Sequence, residues 1–162
     1  MNMNINSLSQ KYSVRKLDEN DVDIIYDMSC KNDIFYQYHP PFVTRESILD
    51  DMGALPQGKG YDDKFYVGFF ENDSLVGLMD LILDYPEKEI SFIGLFMTDT
   101  RYQNRGVGSG IISDVILCLK SSGYKEIRLG VDKGNPQSYS FWTKNKFTPI
   151  REDTYILMGL RI

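Results

Sequence analysis

The stretch Gln103-Asn104-Arg105-Gly106-Val107-Gly108-Ser109-Gly110 sets three glycines at alternate positions where a helical pattern begins. Each costs roughly 1 kcal/mol of helix propensity against alanine. A ligand that needs bare backbone would compensate, because glycine lets N–H groups approach closely and a helix N-terminus offers unpaired donors and partial positive charge. Arg101 and Arg105 add full charges beside it. Pyrophosphate fits that chemistry; a tight strand-to-helix turn that merely needs glycine fits the same residues.

Two phosphate-binding patterns fail. The P-loop string GxxxxGK[ST] occurs nowhere in the chain. A dinucleotide fold needs GxGxxG and an acid after the next strand. Asp132 meets the second requirement, but Ile111 holds the third-glycine position, and the strands before the turn read as an antiparallel meander.

Gln103-xx-Gly106-x-Gly108 resembles the Q/R-x-x-G-x-G/A signature of the GNAT superfamily of N-acetyltransferases, in the strand-to-helix context of that family. Downstream, Asn135-xx-Ser138-xxx-Trp142-xxx-Lys146-Phe147 resembles the family's N-xx-A-xxx-Y-xxx-G-F. Positions 135, 138 and 142 share one helical face. The order of elements is similar from Tyr12 to the end. The resemblance implies an α/β fold of GNAT type: a mixed, mostly antiparallel sheet with helices on both faces. It implies transfer of an acetyl group from acetyl-CoA to a primary amine by direct attack, with no covalent enzyme intermediate and no metal. Gln103, Asn104, Arg105, Gly106, Val107, Gly108 and Ser109 would hold the pyrophosphate. Backbone groups of Phe96 and Met97 would pair with the pantetheine arm, in a cleft splayed open between strands 90–97 and 127–131. Asn135, Ser138 and Trp142 would close the thiol side.

The departures from the family pattern are chemical. Trp142 stands where many members carry the tyrosine that protonates the departing CoA thiolate, and an indole N–H is no acid at neutral pH. Tyr139, three residues earlier, is the nearest substitute. Lys146 replaces a glycine. An acceptor ammonium must lose a proton before its nitrogen can attack, yet Ile90–Met97 contains no carboxylate, and Ser91 stands where the family often has a glutamate. Asp80 and Glu89 are the candidate bases. The missing tyrosine and glutamate also suit a non-catalytic acyl-CoA-binding module or sensor of the same fold, and a nicotinamide or flavin binder is a third reading. His39, in the aromatic run Phe35–Phe42, could with Tyr36, Tyr38 and Phe42 wall an amine pocket.

Charge limits the partners. The 18 basic and 23 acidic side chains give −5, and residues 1–73 alone carry 7 basic and 13 acidic, a balance of −6. That distribution disfavours nucleic acid, whose phosphates need clustered Lys and Arg, and favours a cationic acceptor near Asp50, Asp51, Asp62 and Asp63. The apolar run Ile111–Leu119 is interrupted by Ser113 and Asp114, well short of the ~20 residues a membrane span needs. Asn-rich residues 1–11 lack the basic and apolar regions of a secretory signal and read as a flexible tail before one domain, 12–162. Cys30 and Cys118 suit free thiols in a reducing cytoplasm, and the single histidine argues against a zinc site of His and Cys ligands. The partners expected are therefore acetyl-CoA and an amine acceptor, with a homodimer compatible with both.

These residues need a scaffold, and the pattern supplies one. Strands are expected at 12–17, 65–70, 75–83, 90–97, 127–131, 147–152 and 155–162. Helices are expected from Asn20 to about Cys30, from Thr44 to Gly53, from Val107 to Gly123 and from Asn135 to Asn145. The segment 35–42, with its aromatics and prolines, is expected to form no regular element.

Overall fold

Strands β2 (Lys64–Glu71) and β3 (Ser74–Ile82) are buried at nearly every position, so both faces of the sheet they centre must be covered. A computed structural model, describing residues 3–162, shows how. Strands β1 (Ser13–Lys16), β2, β3, β4 (Ile90–Thr98), β5 (Glu126–Asp132), β6 (Thr148–Glu152) and β7 (Tyr155–Arg161) form one sheet in the order β1-β2-β3-β4-β5-β7-β6. Every neighbouring pair is antiparallel except β4 and β5. That single parallel pair is the crossover expected from the long helix between them, and it leaves no room for repeated β-α-β units.

One face is covered by α4 (Val107–Ser121), whose Ile111, Ile112, Val115 and Leu119 pack with Val67, Phe69, Met79 and Ile127. Trp142 of α5 (Pro136–Lys144) and Phe147 complete that core. The other face carries α1 (Val22–Ser29), α2 (Asp33–Tyr38) and α3 (Arg45–Gly53), with Ile25, Met28 and Ile48 against Tyr66, Leu78 and Met97. Cys118 belongs to the first core and Cys30 to the second, so the two free thiols lie on opposite faces of the sheet.

Several expectations need correction. Residues 1 and 2 of the expected flexible tail lie outside the described residues. The rest of it is ordered: Ile5–Leu8 forms a 3-10 turn whose Leu8 is fully buried, and Gln10 N–H donates to Asp114 of α4 at 3.0 Å. The sequence cue was Met3, Ile5 and Leu8 scattered through a polar run, too irregular for a helical or strand period. Segment 35–42 is partly helical, because Phe35, Tyr36 and Phe42 pack on one another at 4.9 and 5.2 Å. Pro40 does end that helix, leaving His39 at φ −131°, ψ 64°. The cap expected at Asn20 is Asp18, which accepts from Asn20 N–H while its own N–H donates to Asp21, so a 3-10 turn precedes α1. Thr44 caps α3 as expected, in a reciprocal pair with Ser47.

Candidate active site

β4 and β5 pair only from Ile90↔Glu126 to Ile93↔Leu129. Opposite β3, Ile93 faces Leu81 and Leu95 faces Asp80, so Gly94 is an extra residue that bulges β4 away from β5. β5 stays with β7 as far as Asp132. Beyond the point where the strands part, on the β4 side, lies a cavity of about 670 Å³. Phe96, Met97 and Thr98 line it from β4; Gln103, Asn104, Gly106, Gly108 and Ser109 from the glycine turn; Asn135, Ser138 and Trp142 from α5.

The turn is built to present backbone. Gly106 caps α4 at φ 77° with no side-chain cap, and Asn104 is also left-handed at φ 61°. Gly110 N–H bonds to Gly106 O at 2.9 Å, so the amides of Val107, Gly108 and Ser109 precede the first helical bond and have no acceptor within the helix. Such N–H groups, at the positive end of a fifteen-residue helix, suit an anion. A Cβ at Gly106 or Gly110 would meet nothing within 4 Å, whereas one at Gly108 would stand 3.0 Å from the Phe141 ring. Gly108 therefore serves helix packing as well as approach to the cavity.

The other expected contacts divide. Val107 packs into the core and Arg105 is exposed outside the lining. Arg101 is committed to Asp99, whose carboxyl burial would raise but Arg101 and a backbone N–H hold low. The cation in the wall is Lys144, which sequence reading missed; Lys146, at φ 75°, is exposed beyond it. Gln103 lines the cavity but turns its amide toward Asn32 and Thr98. Asn135 accepts Ser138 N–H as the cap of α5. Asn32 and Phe35 also line the cavity, and they come from elements about seventy residues upstream with no motif to flag them.

The expected acid and bases are not gathered at the cavity. Tyr139 is absent from its lining and more than a third exposed, because the wall-forming face of α5 runs through 138, 141 and 142 and turns 139 away. Trp142 is buried among Phe96, Phe141 and Phe147, with ring centroids 4.9–6.0 Å apart, as a packing residue. Glu89 precedes β4 and pairs with Lys125; at ~3.3 Å per residue it is roughly 20 Å from Phe96. Ser91, fully buried, has no partner for its hydroxyl among the described residues.

Asp80 lies on the α1–α3 face, behind the Gly94 bulge, where a Cβ would come within 3.4 Å of its carboxylate. Lys64, itself buried, reaches Asp80 Oδ2 at 2.9 Å, and Oδ1 is buried without a partner among the described residues. Burial pushes this carboxyl up, against the pull of Lys64. Asp51 of α3 keeps solvent access on the same face of the sheet; burial and the charge of Asp80 push it up, while Lys64 and His39 act the other way. Burial likewise pushes the neighbouring Tyr36 up to about 12 and raises Tyr66 further. Asp62 is exposed in the turn before β2, where Asp63 accepts Gly60 N–H and pairs with Lys59. Asp132 meets His39, Nδ1 to both carboxylate oxygens at 3.1 Å.

The acetyltransferase (GNAT) family model matches residues 28–147. No curated protein matches the sequence significantly. Among solved structures, an acetyltransferase from Thermus thermophilus is similar at 18% identity and TM-score 0.80, covering 94% of this chain and 97% of its own. PaiA N-acetyltransferase from Thermoplasma acidophilum, solved in complex with coenzyme A, gives 18%, TM-score 0.70, and 93% and 98% coverage. The ribosomal-protein-S18-alanine N-acetyltransferase of Escherichia coli gives 15%, TM-score 0.66, and 93% of each chain.

Proposed function

The chain belongs to the GNAT family of acetyltransferases, and from that membership we propose that it moves an acetyl group from acetyl-CoA to a primary amine that arrives as a cation. The observation that carries the donor half is the junction of two features: a strand edge left unpaired beyond Ile93, and the bare N-terminus of α4 at the end of that edge. Extended pantetheine suits the edge and pyrophosphate suits the N–H groups. Lys144 and Arg105 would meet further phosphate charge. The cleft fits coenzyme A.

The acceptor half rests on the other face. There Asp51 keeps solvent access near Tyr36 and Tyr66, with Asp80 paired to Lys64 behind it, an environment that would attract an ammonium. Among the cavity-lining residues Lys144 is the only one that titrates, and none is a tyrosine. The departing thiolate therefore takes its proton from water, and the amine attacks the thioester directly.

Thiol release from acetyl-CoA, followed colorimetrically over a panel of diamines, neutral and acidic amino acids and short peptides, tests this reading. Release with cationic amines ahead of the rest is expected. Tight acetyl-CoA binding with no release from any amine would overturn it and leave a binding module.

A further inference from the structure

We propose that His39 is the base that takes the proton from the acceptor amine, with Asp132 orienting its ring; this rests on the amine acetylation proposed above. His39 is the only histidine in the chain. It follows α2 on the acceptor face, and Asp132 ends β5, so their contact joins residues 93 apart across the opening between β4 and β5.

Two contacts place the imidazole at the rim of the cavity, outside its lining. The Phe35 ring, which lines the cavity, lies 5.2 Å from the His39 ring. Asp132 O accepts the N–H of Asn135, another cavity residue, at 3.3 Å. On the far side the charge of His39 reaches Asp51. The charged groups facing the ring are thus Asp132 from β5 and Asp51 from α3.

Both Asp132 oxygens converge on Nδ1, which fixes that nitrogen as the donor. Nε2 then carries the lone pair, and no hydrogen bond engages it among the described residues. The side chain is 59% exposed, open to an arriving amine. Asp80 is a poorer base, since Lys64 holds one oxygen and the other is buried.

One proton of the acceptor ammonium passes to Nε2 and on to water. The freed lone pair attacks the thioester carbon, the C–N bond forms, and the C–S bond breaks with its electron pair on sulfur. The second proton of the nitrogen reaches the thiolate through water, so each turnover releases one proton.

His39→Gln separates this role from a merely structural tie, because the glutamine amide can still donate to Asp132. The expected result is a loss of about 100-fold in kcat, an acid limb of the pH–rate profile moved to higher pH, where the amine sheds its proton unaided, and unchanged acetyl-CoA affinity by calorimetry. Wild-type kcat and pH profile in His39→Gln would overturn the proposal. A second measurement needs no turnover, and so stands even if no amine proves to be a substrate. In the ¹⁵N spectrum of the lone imidazole, the neutral ring should carry its proton on Nδ1, and Asp132→Asn should abolish that preference. A neutral ring protonated on Nε2 in the wild type would also overturn it.

Discussion

Gln103 Nε2 donates to Asn32 Oδ1 at 2.7 Å, tying the turn before α4 to the elbow between α1 and α2. The same amide reaches Thr98 O at 3.1 Å, and Asn32 Nδ2 donates to Met28 O at 3.2 Å. Asn32 is 8% exposed, so its oxygen has little access to water if Gln103 is lost. The glycine turn, the end of β4 and the α1–α2 elbow are held as one unit by two amides.

Gln103→Leu should therefore cost about 1–3 kcal/mol, since it strands a buried acceptor. Gln103→Glu should cost more, because it sets carboxylate oxygens against two acceptors, Asn32 Oδ1 and Thr98 O. Urea denaturation of both variants checks the order. A glutamate as stable as wild type would mean that the two amides point the other way.

The glycine turn separates three roles. Gly106→Ala forces a side chain into the left-handed region at about 1–2 kcal/mol and should weaken acetyl-CoA binding by shifting the N–H groups. Gly108→Val collides with Phe141, where even a Cβ stands at 3.0 Å, and should lose about 1–3 kcal/mol of stability together with binding. Gly110→Ala meets open space inside a helix and should gain about 0.5–1 kcal/mol at unchanged affinity. Thermal denaturation and acetyl-CoA calorimetry on the three read out both quantities.

Local pattern carried the sheet and the donor site. The β2–β4 meander, the α4 crossover and the Asn135 and Thr44 caps are written in short-range signals, so their residues were legible to within a position or two. Ten of the twelve residues expected to hold the cofactor line the cavity. The contacts of the α1–α3 face were not legible, because they are made by distance. Asn32 meets Gln103, His39 meets Asp132, and Lys64 meets Asp80 only once strands have paired. Tyr139 and Glu89 were chosen by residue type near a motif; helix phase turns the first away, and strand length carries the second to the wrong end of β4.

Acid should weaken one corner of the fold. The hydrogen bond from Arg15 holds the Asp21 carboxyl below the ordinary aspartate range, although burial opposes it. A depressed pKa in the folded state contributes stability above pH ~4 that is lost as pH falls through the folded value. Asp80 and Asp51, raised by burial, act in the opposite sense, so the difference between wild type and Asp21→Asn is the quantity to follow. That gap should be about 1 kcal/mol at pH 7 and close toward pH 2, by urea midpoints at each pH. A gap that stays constant would assign the effect to packing.

The proposed cationic acceptor carries a distinct prediction about salt. Asp51 keeps solvent access while Asp80 is locked to Lys64, so under the proposed function Asp51 would be the carboxylate that an incoming ammonium meets. Its field should raise the local concentration of cations and speed their encounter, an effect screened over ~8 Å at physiological ionic strength. For a diamine, kcat/KM should fall as salt rises, and Asp51→Asn should lower it at low salt and flatten the dependence. For a neutral or acidic amino acid neither change should appear. Lower pH should act like the substitution, and earlier than for an ordinary aspartate, because burial has already pushed this carboxyl upward. The variant is mild for the fold, since no hydrogen bond or ion pair of the Asp51 side chain is lost among the described residues. Equal salt slopes for diamine and neutral acceptor, in wild type and variant alike, would show that the charge of Asp51 plays no part in choosing the amine.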